Sequence, residues 1–424
     1  MVELIIKRHK ERNQTILIIT VCTMICFAPI VYFVNQLCRA IFGTGFTFDT
    51  LSCYAVLAVM ILASLKQLHF RIKTDVLVVL LVFAVAYALS YSLIHNNKNY
   101  MFTQWTDFAS NPLYLLFAYS LPAYVFMRYI TDYDRLLETC RYFSLIVVFC
   151  SLGSFILMFL RDSQPQYMSF SYNLVFATSF SWVYFFEKKR TMMSLLAAII
   201  GAIMIFFAGA RGPLVCVLFS MIAYTLISKT FAKKKPFLVC FFILGGLIIM
   251  LLWQPIVTAL KESVDSLGIS SRTIDLMLDG DLFSDSSRGE IQKKIIESFS
   301  LFGSGLYGDR LLGENHYAHN LIIELFAQWG YLMGTAILAL LGILLFKGFR
   351  TKNTSLQMLI LVSFSSGVIK LMFSGSYLAH NAVFFMLLAA CVNSMEAEKT
   401  LTAVERAGPE KKKSKYIKAY SRYS

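Results

Sequence analysis

Charge is scarce in this chain. Charged residues make up 15% of its 424 positions, where a soluble domain carries about a quarter. A water-facing globular protein is therefore excluded for most of its length. Cysteine is present but unorganised. The nine cysteines are scattered in or beside apolar runs, and none lies in the polar segment 254–318, so no disulfide framework is implied there. Neither CxxC nor HExxH occurs, which removes the common metal signatures. No small-residue cleavage site follows the first apolar run, which comes after KRHKER. That run reads as a retained span, not a removed signal peptide. No internal repeat stands out, so the inverted-repeat signature of many secondary transporters is missing. No soluble domain is expected at either end.

What the chain has instead is apolar length. Apolar residues make up 57% of it. The acyl core of a bilayer takes about 20 apolar residues per helix, and backbone polar groups inside lipid must be satisfied within the segment. The expected fold is an all-α integral membrane protein with about twelve spans: 15–37, 51–65, 74–94, 111–130, 142–160, 170–186, 192–207, 213–228, 237–253, 321–346, 355–373 and 381–395. The organisation that follows is nine spans in 1–253, a long external loop at 254–318, three spans in 319–395 and a basic tail at 396–424.

The net charge of +14 resembles a nucleic-acid signal until it is placed on this topology. With the N-terminus inside, seven cytoplasmic segments hold 28 of the 39 Lys and Arg. That is the positive-inside bias, and no nucleic-acid partner is expected. The tail stretch Lys411–Lys418 (KKKSKYIK) reads as an anchor to anionic lipid. Both termini are then cytoplasmic and 254–318 faces outward. Within that loop, Ile291, Ile295, Phe299 and Phe302 recur at helical spacing. They predict an amphipathic helix over 288–302, ended by Gly303, Gly305 and Gly308.

Four outward features carry chemistry, each with a plainer alternative. Arg211 lies in a tight connection between two spans. It either snorkels to the interface or aims its planar fork at phosphate oxygens. Arg288 opens the amphipathic helix, where the helix dipole does not favour a cation; alone it would be a surface arginine. Gly303-Ser304-Gly305 either lets backbone approach a ligand closely or simply turns. His319 stands where the polar loop becomes apolar helix, as a structural interfacial histidine or as a general base near neutral pH. Asn320 adjoins it. Glu324 lies one turn inward, and a carboxylate in a span is functional by default; it would pair with Arg211 or orient His319. Lys370, near the outer end of the eleventh span, either reaches the interface on its stem or serves the same site.

The order of these pieces resembles the O-antigen ligase and Wzy-type polymerase superfamily of bacterial surface polysaccharide assembly. The pieces are an Arg in a tight turn after the seventh span, an outer loop, then Arg-xx-Ile on a helix leading to Phe-Gly-x-Gly. His319, Asn320, Glu324, Gly330 and Gly334 complete it as His-Asn-xxx-Glu-xxxxx-Gly-xxx-Gly. In topology the resemblance covers nearly the whole chain; in motif it is confined to 208–214 and 287–334. The chain has Gln292 where many relatives carry an aromatic, Gln328 where many carry an acid, and Leu301 where many carry proline.

The resemblance implies a bundle like that of the GT-C membrane glycosyltransferases, on the outer face of the bacterial inner or cytoplasmic membrane. It implies an inverting, metal-independent glycosyl transfer without a cofactor. The donor would be an oligosaccharide on undecaprenyl diphosphate. The acceptor would be a hydroxyl on another lipid-linked repeat unit in a polymerase, or on a lipid A core sugar in a ligase. His319 would take the acceptor proton, and Arg211 and Arg288 would hold the diphosphate. Asn320, Glu324, Gly303, Gly305 and Lys370 would support them. Membrane lipid is a partner by construction; a flippase and a chain-length regulator are implied as companions. Tyr100, Trp105, Tyr167, Tyr307 and Tyr317 are candidates to stack on sugars. The rival class is a transporter or lipid flippase. Its charges would be spread through both halves, whereas here they cluster beside one loop, which favours an enzyme.

Overall fold

The computed structural model describes residues 2–43, 48–68, 72–93, 114–159, 167–189, 191–208, 211–227, 258–259, 261–262, 288–313, 317–379 and 381–405. The helices are α1 (Val2–Phe42), α2 (Phe48–Gln67), α3 (Thr74–Leu93), α4 (Leu121–Tyr129), entered through a π-helical stretch at Tyr114–Ser120, and α5 (Tyr133–Phe159). Then come α6 (Tyr167–Tyr184), followed by π-helical Phe185–Lys189, α7 (Met192–Phe207), α8 (Arg211–Ile227), α9 (Arg288–Glu297) and α10 (Gly308–Leu312). The chain continues as α11 (Leu321–Phe349), α12 (Thr354–Ser363), extended by π-helical Phe364–Ile369, and α13 (Ala382–Glu405). Among the described residues there is no strand, only an isolated bridge between Ser376 and Ala379.

Helix is what lipid permits, because each N–H finds its carbonyl within the segment. Five stretches are long and apolar enough to cross a membrane: Glu11–Phe42, Thr74–Ser92, Tyr133–Leu157, Leu321–Phe349 and Thr354–Phe373. They point to a membrane protein. The other predicted spans also fall on helices, α13 with its 24 residues among them, except 237–253, which lies outside the described residues. The amphipathic helix starts at Arg288 as expected but ends at Glu297, short of Phe302. The reason is tertiary: from Ser300 onward the backbone hydrogen-bonds to α11 and leaves its own helical ladder.

The chain forms two compact units. One comprises Met1–Ile25, Ser52–Thr139 and Arg288–Ser424; the other comprises Cys26–Leu51 and Cys140–Ser287. In the second, α6 packs on α7 and α8. Gly201 of α7 lies against Thr178 of α6, where any Cβ would collide with the threonine hydroxyl. Small residues bring membrane helices together in this way. The first unit is built around α13, which touches α4, α11 and α12. Helices α4 and α13 run parallel: the Asn381 N–H donates to Ser120 Oγ at 3.2 Å, and further along Asn393 Nδ2 donates to Met127 O at 2.9 Å.

Candidate functional site

The site is organised by a break in α11. Gly330 has φ 73 and ψ 178, non-helical values inside a 29-residue helix. A break in an apolar helix frees backbone groups that lipid cannot satisfy. Here the segment after α9 supplies the partners. Ser304 N–H donates to Ala327 O at 2.8 Å and Gly305 N–H to Gln328 O at 3.0 Å. In return Tyr331 N–H reaches Ser300 O at 3.1 Å. The fit is backbone to backbone. A Cβ on Gly303 (φ 74) would strike Gln328 O and Gly330 N; one on Gly330 would strike Leu301 O and Gly303 N. Gly303 is thus required for close approach, and what it approaches is α11.

Ahead of the break, Glu324 and Gln328 lie one turn apart on one face of α11, as spacing of four places them. Both are buried, and so is Asp309 of α10. Gln328 Nε2 donates to Asp309 Oδ1 at 2.7 Å and to Glu324 Oε1 at 3.2 Å. Its carbonyl accepts the Tyr377 hydroxyl at 2.7 Å, and that hydroxyl accepts Trp329 Nε1 at 2.8 Å. Glu324 also accepts the Ser376 hydroxyl and, at 3.4 Å, the Tyr377 N–H. Among the described residues neither Asp309 nor Glu324 forms a salt bridge within 4.0 Å. Burial pushes the Asp309 carboxyl above its usual range. Burial likewise raises the Tyr377 phenol, with the Glu324 carboxylate adding to the effect.

His319 begins the last turn before α11, with φ 54, a left-handed backbone that a non-glycine residue seldom adopts. Its ring lies on that of Tyr317, centroids 3.8 Å apart and planes tilted 39°. Asn320 caps α11, its side-chain oxygen accepting the N–H groups of Ile322 and Ile323 at 3.0 and 3.3 Å, an N-cap's ordinary work. Buried Ala318, just before His319, has its N–H bound to Asp309 Oδ2 at 3.2 Å and its carbonyl to Gln292 Nε2 at 3.0 Å.

Arg288 donates from Nη1 to Phe373 O at 3.0 Å. Phe373 lies three residues past Lys370, where the Phe373 and Ser374 N–H groups close the helical end on Lys370 O. A cation at a helix C-terminus is favourable in itself. The same connector continues to Ser376 and Tyr377, which hold Glu324. Arg288 and Glu324 thus hold the same connector, which begins at Lys370, and His319 lies just before the N-cap of α11, all within one unit.

Other expectations fare differently. Arg211 is the first residue of α8, but its side chain, like Tyr100, Trp105 and the Tyr167 side chain, lies outside the described residues. The Glu324 oxygens accept from Ser376, Gln328 and Tyr377. Tyr307 is fully buried, with φ 62, and cannot meet a sugar as an external aromatic. The Arg310 guanidinium lies 4.9 Å from its ring centroid. Tyr317 is half-buried against His319.

Sequence reasoning missed Asp309, Ser376 and Tyr377, and took Gln292 and Gln328 as departures from a pattern. The one signal for Asp309 was an acid inside a Gly-flanked apolar stretch, Gly308-Asp309-Arg310-Leu311-Leu312. Among the described residues no three His, Cys, Asp or Glu side chains are grouped to hold a metal ion.

No family model, no characterised protein and no solved structure matches this chain.

Proposed function

We propose that the chain is a membrane glycosyltransferase that polymerises surface polysaccharide. It would transfer a glycan from undecaprenyl diphosphate to a sugar hydroxyl of a lipid-linked repeat unit, with inversion and without a metal. The bond formed joins the anomeric carbon to the acceptor oxygen. The bond broken is that carbon to the diphosphate oxygen, which leaves with its electron pair. The observation that carries the reading is that Arg288 and Glu324 both hold the connector that follows Lys370, with Glu324 on α11 five residues after His319.

A diphosphate leaving group needs fixed positive charge where negative charge develops, commonly the largest catalytic contribution. Arg288 and Lys370 supply it in this reading. Arg211 is added as the second fork on the resemblance of the motif order. His319 takes the acceptor proton, a step worth about 10²–10⁴-fold. Buried Glu324 holds the 376–377 connector against α11. The polyprenyl chain would lie in lipid alongside the apolar helices.

The test is His319→Ala, expressed in cells that lack the chain. Long glycan should disappear while lipid-linked repeat units accumulate, with the variant present in the membrane at the parent's level. Normal glycan from His319→Ala would reject the base assignment. Polymer that forms normally in cells without the chain, but fails to reach lipid A, would show the acceptor to be lipid A core.

A further inference from the structure

The Ala318 peptide is gripped on both sides by side chains from two other helices. Asp309 of α10 accepts the Ala318 N–H at 3.2 Å, and Gln292 of α9 donates to the Ala318 carbonyl at 3.0 Å. Ala318 itself is buried in an apolar cluster with Ile295 of α9 and Ala327 of α11, with Ile291, Phe299, Leu312 and Ile323 around it. The next residue is His319 at φ 54. A left-handed backbone is unfavourable for an L-residue, so it persists only where the surroundings over-determine it. Asn320 adds the third restraint by starting α11 immediately after.

Asp309 is an expensive residue for this place. A buried carboxylate without an ion pair is unfavourable unless its oxygens are hydrogen-bonded. Both are: Oδ2 by Ala318 N–H and Oδ1 by Gln328 Nε2. Gln328 is in turn held by Tyr377. The carboxyl is therefore fixed from the α11 side and passes that fixity to the peptide before Ala318, while Gln292 holds the peptide between Ala318 and His319.

We propose that Asp309 and Gln292 are positioning residues for His319: together they clamp the Ala318 peptide and set the left-handed turn that lays the imidazole on Tyr317. The clamp matters for catalysis only insofar as His319 acts as the base proposed above, but its existence can be tested without any transfer reaction. It also gives Gln292 and Gln328 a purpose that apolar or acidic residues there would not serve in the same way. Gln292 supplies a neutral donor to a carbonyl, and Gln328 supplies a donor to two carboxyls at once.

The probe is diethyl pyrocarbonate, which acylates accessible neutral imidazoles, applied at fixed pH to the full chain in detergent. Peptide mass spectrometry then gives the rate at each histidine. Losing one such hydrogen bond shifts a local equilibrium about five- to tenfold. In Asp309→Ala and in Gln292→Met the rate at His319 should rise at least about fivefold, while His69 and His95 stay within about twofold of the parent. Should Asp309→Ala fail to fold, Gln292→Met carries the test alone, since Gln292 is only half-buried. An unchanged rate at His319 in Gln292→Met, or a uniform rise at all histidines, would each overturn the clamp. Failure of the base assignment looks different: His319→Ala would then transfer glycan normally whatever the acylation rates show.

Discussion

Two buried polar clusters lie in the same unit and use charge in opposite ways. Beside α3, the Arg128 side chain is fully buried and forms ion pairs of 2.5 Å with Asp75 Oδ2 and with Glu396 Oε1. It also donates to Asn393. Lys73 joins through Glu396 at 3.4 Å and donates to Arg128 O at 2.8 Å; burial first, and then the neighbouring guanidinium, lower its pKa. Near the start of α11, by contrast, Asp309 and Glu324 are buried with hydrogen bonds but no salt bridge among the described residues. Asn381, whose Nδ2 donates to Ser376 O at 3.4 Å, and Glu396 are 15 residues apart in the chain, and on a helix that is roughly 22 Å. The clusters therefore stand toward opposite ends of α13. The first is closed: every charge faces its opposite, and the outcome is architecture, α3, α4 and α13 stapled together. The second keeps two buried acids that are held by hydrogen bonds, with the charge of Arg310 acting on the Asp309 carboxyl, close to a left-handed histidine. Perturbed groups of that kind concentrate at functional sites.

Breaking the stapled cluster should have the largest effect on stability. Arg128→Ala leaves two carboxylates facing each other, and removing one partner of a buried pair costs about 3–5 kcal/mol. The lower end applies, because Asp75 and Glu396 side chains remain 33% and 40% exposed. Thermal unfolding in detergent should show the loss, with little variant reaching the membrane. A variant as stable as the parent would remove the contrast altogether.

The helix break comes next. Gly330→Ala must place a Cβ in a glycine-only backbone region and against Leu301 O. The strain is about 1–3 kcal/mol, and the 300–305 segment should detach first. Hydrogen exchange at Ser304 and Gly305 should accelerate while α13 stays protected. Unchanged protection would mean that the break is not held by this segment.

Arg288 separates charge from geometry. Arg288→Lys keeps the positive charge but loses the fork, and Arg288→Ala loses both. Glycan output in cells should fall in the order parent, Lys, Ala, with the two variants inserting equally. Equal output from Ala and parent would remove Arg288 from the site.

The smallest effect concerns pH. The Asp309 carboxyl titrates above its unfolded value because it is buried. The folded state therefore binds the proton more tightly than the unfolded one. This contribution to stability is fully present below the unfolded carboxyl pKa and is lost as pH rises through the raised folded value. The thermal midpoint of the parent should fall relative to that of Asp309→Asn across that window. A parallel pair of curves would show that burial does not shift this group.

The helices were legible along the chain because burial in lipid adds up residue by residue over a local window. The predicted span 192–207 coincides with α7 at both ends, and the helix beginning at Arg288 was marked by its apolar spacing. His319, Glu324 and Arg288 stood out because charge in or beside apolar sequence is conspicuous at once. What they touch was not legible. Gly330 reads as one more tolerated glycine until the 300–305 backbone is laid across it. Phe302 fits the helical period of α9, yet it lies 75% exposed beyond the helix end. The partners that make the site are remote: Gln328 meets Asp309 across 19 residues, Tyr377 meets Gln328 across 49, and Arg288 meets Phe373 across 85. Hydrophobic transfer is summed locally and needs no partner. A hydrogen bond needs one particular acceptor within about 3 Å, and only the packing of α9, α10, α11 and the 370–379 connector brings that acceptor there.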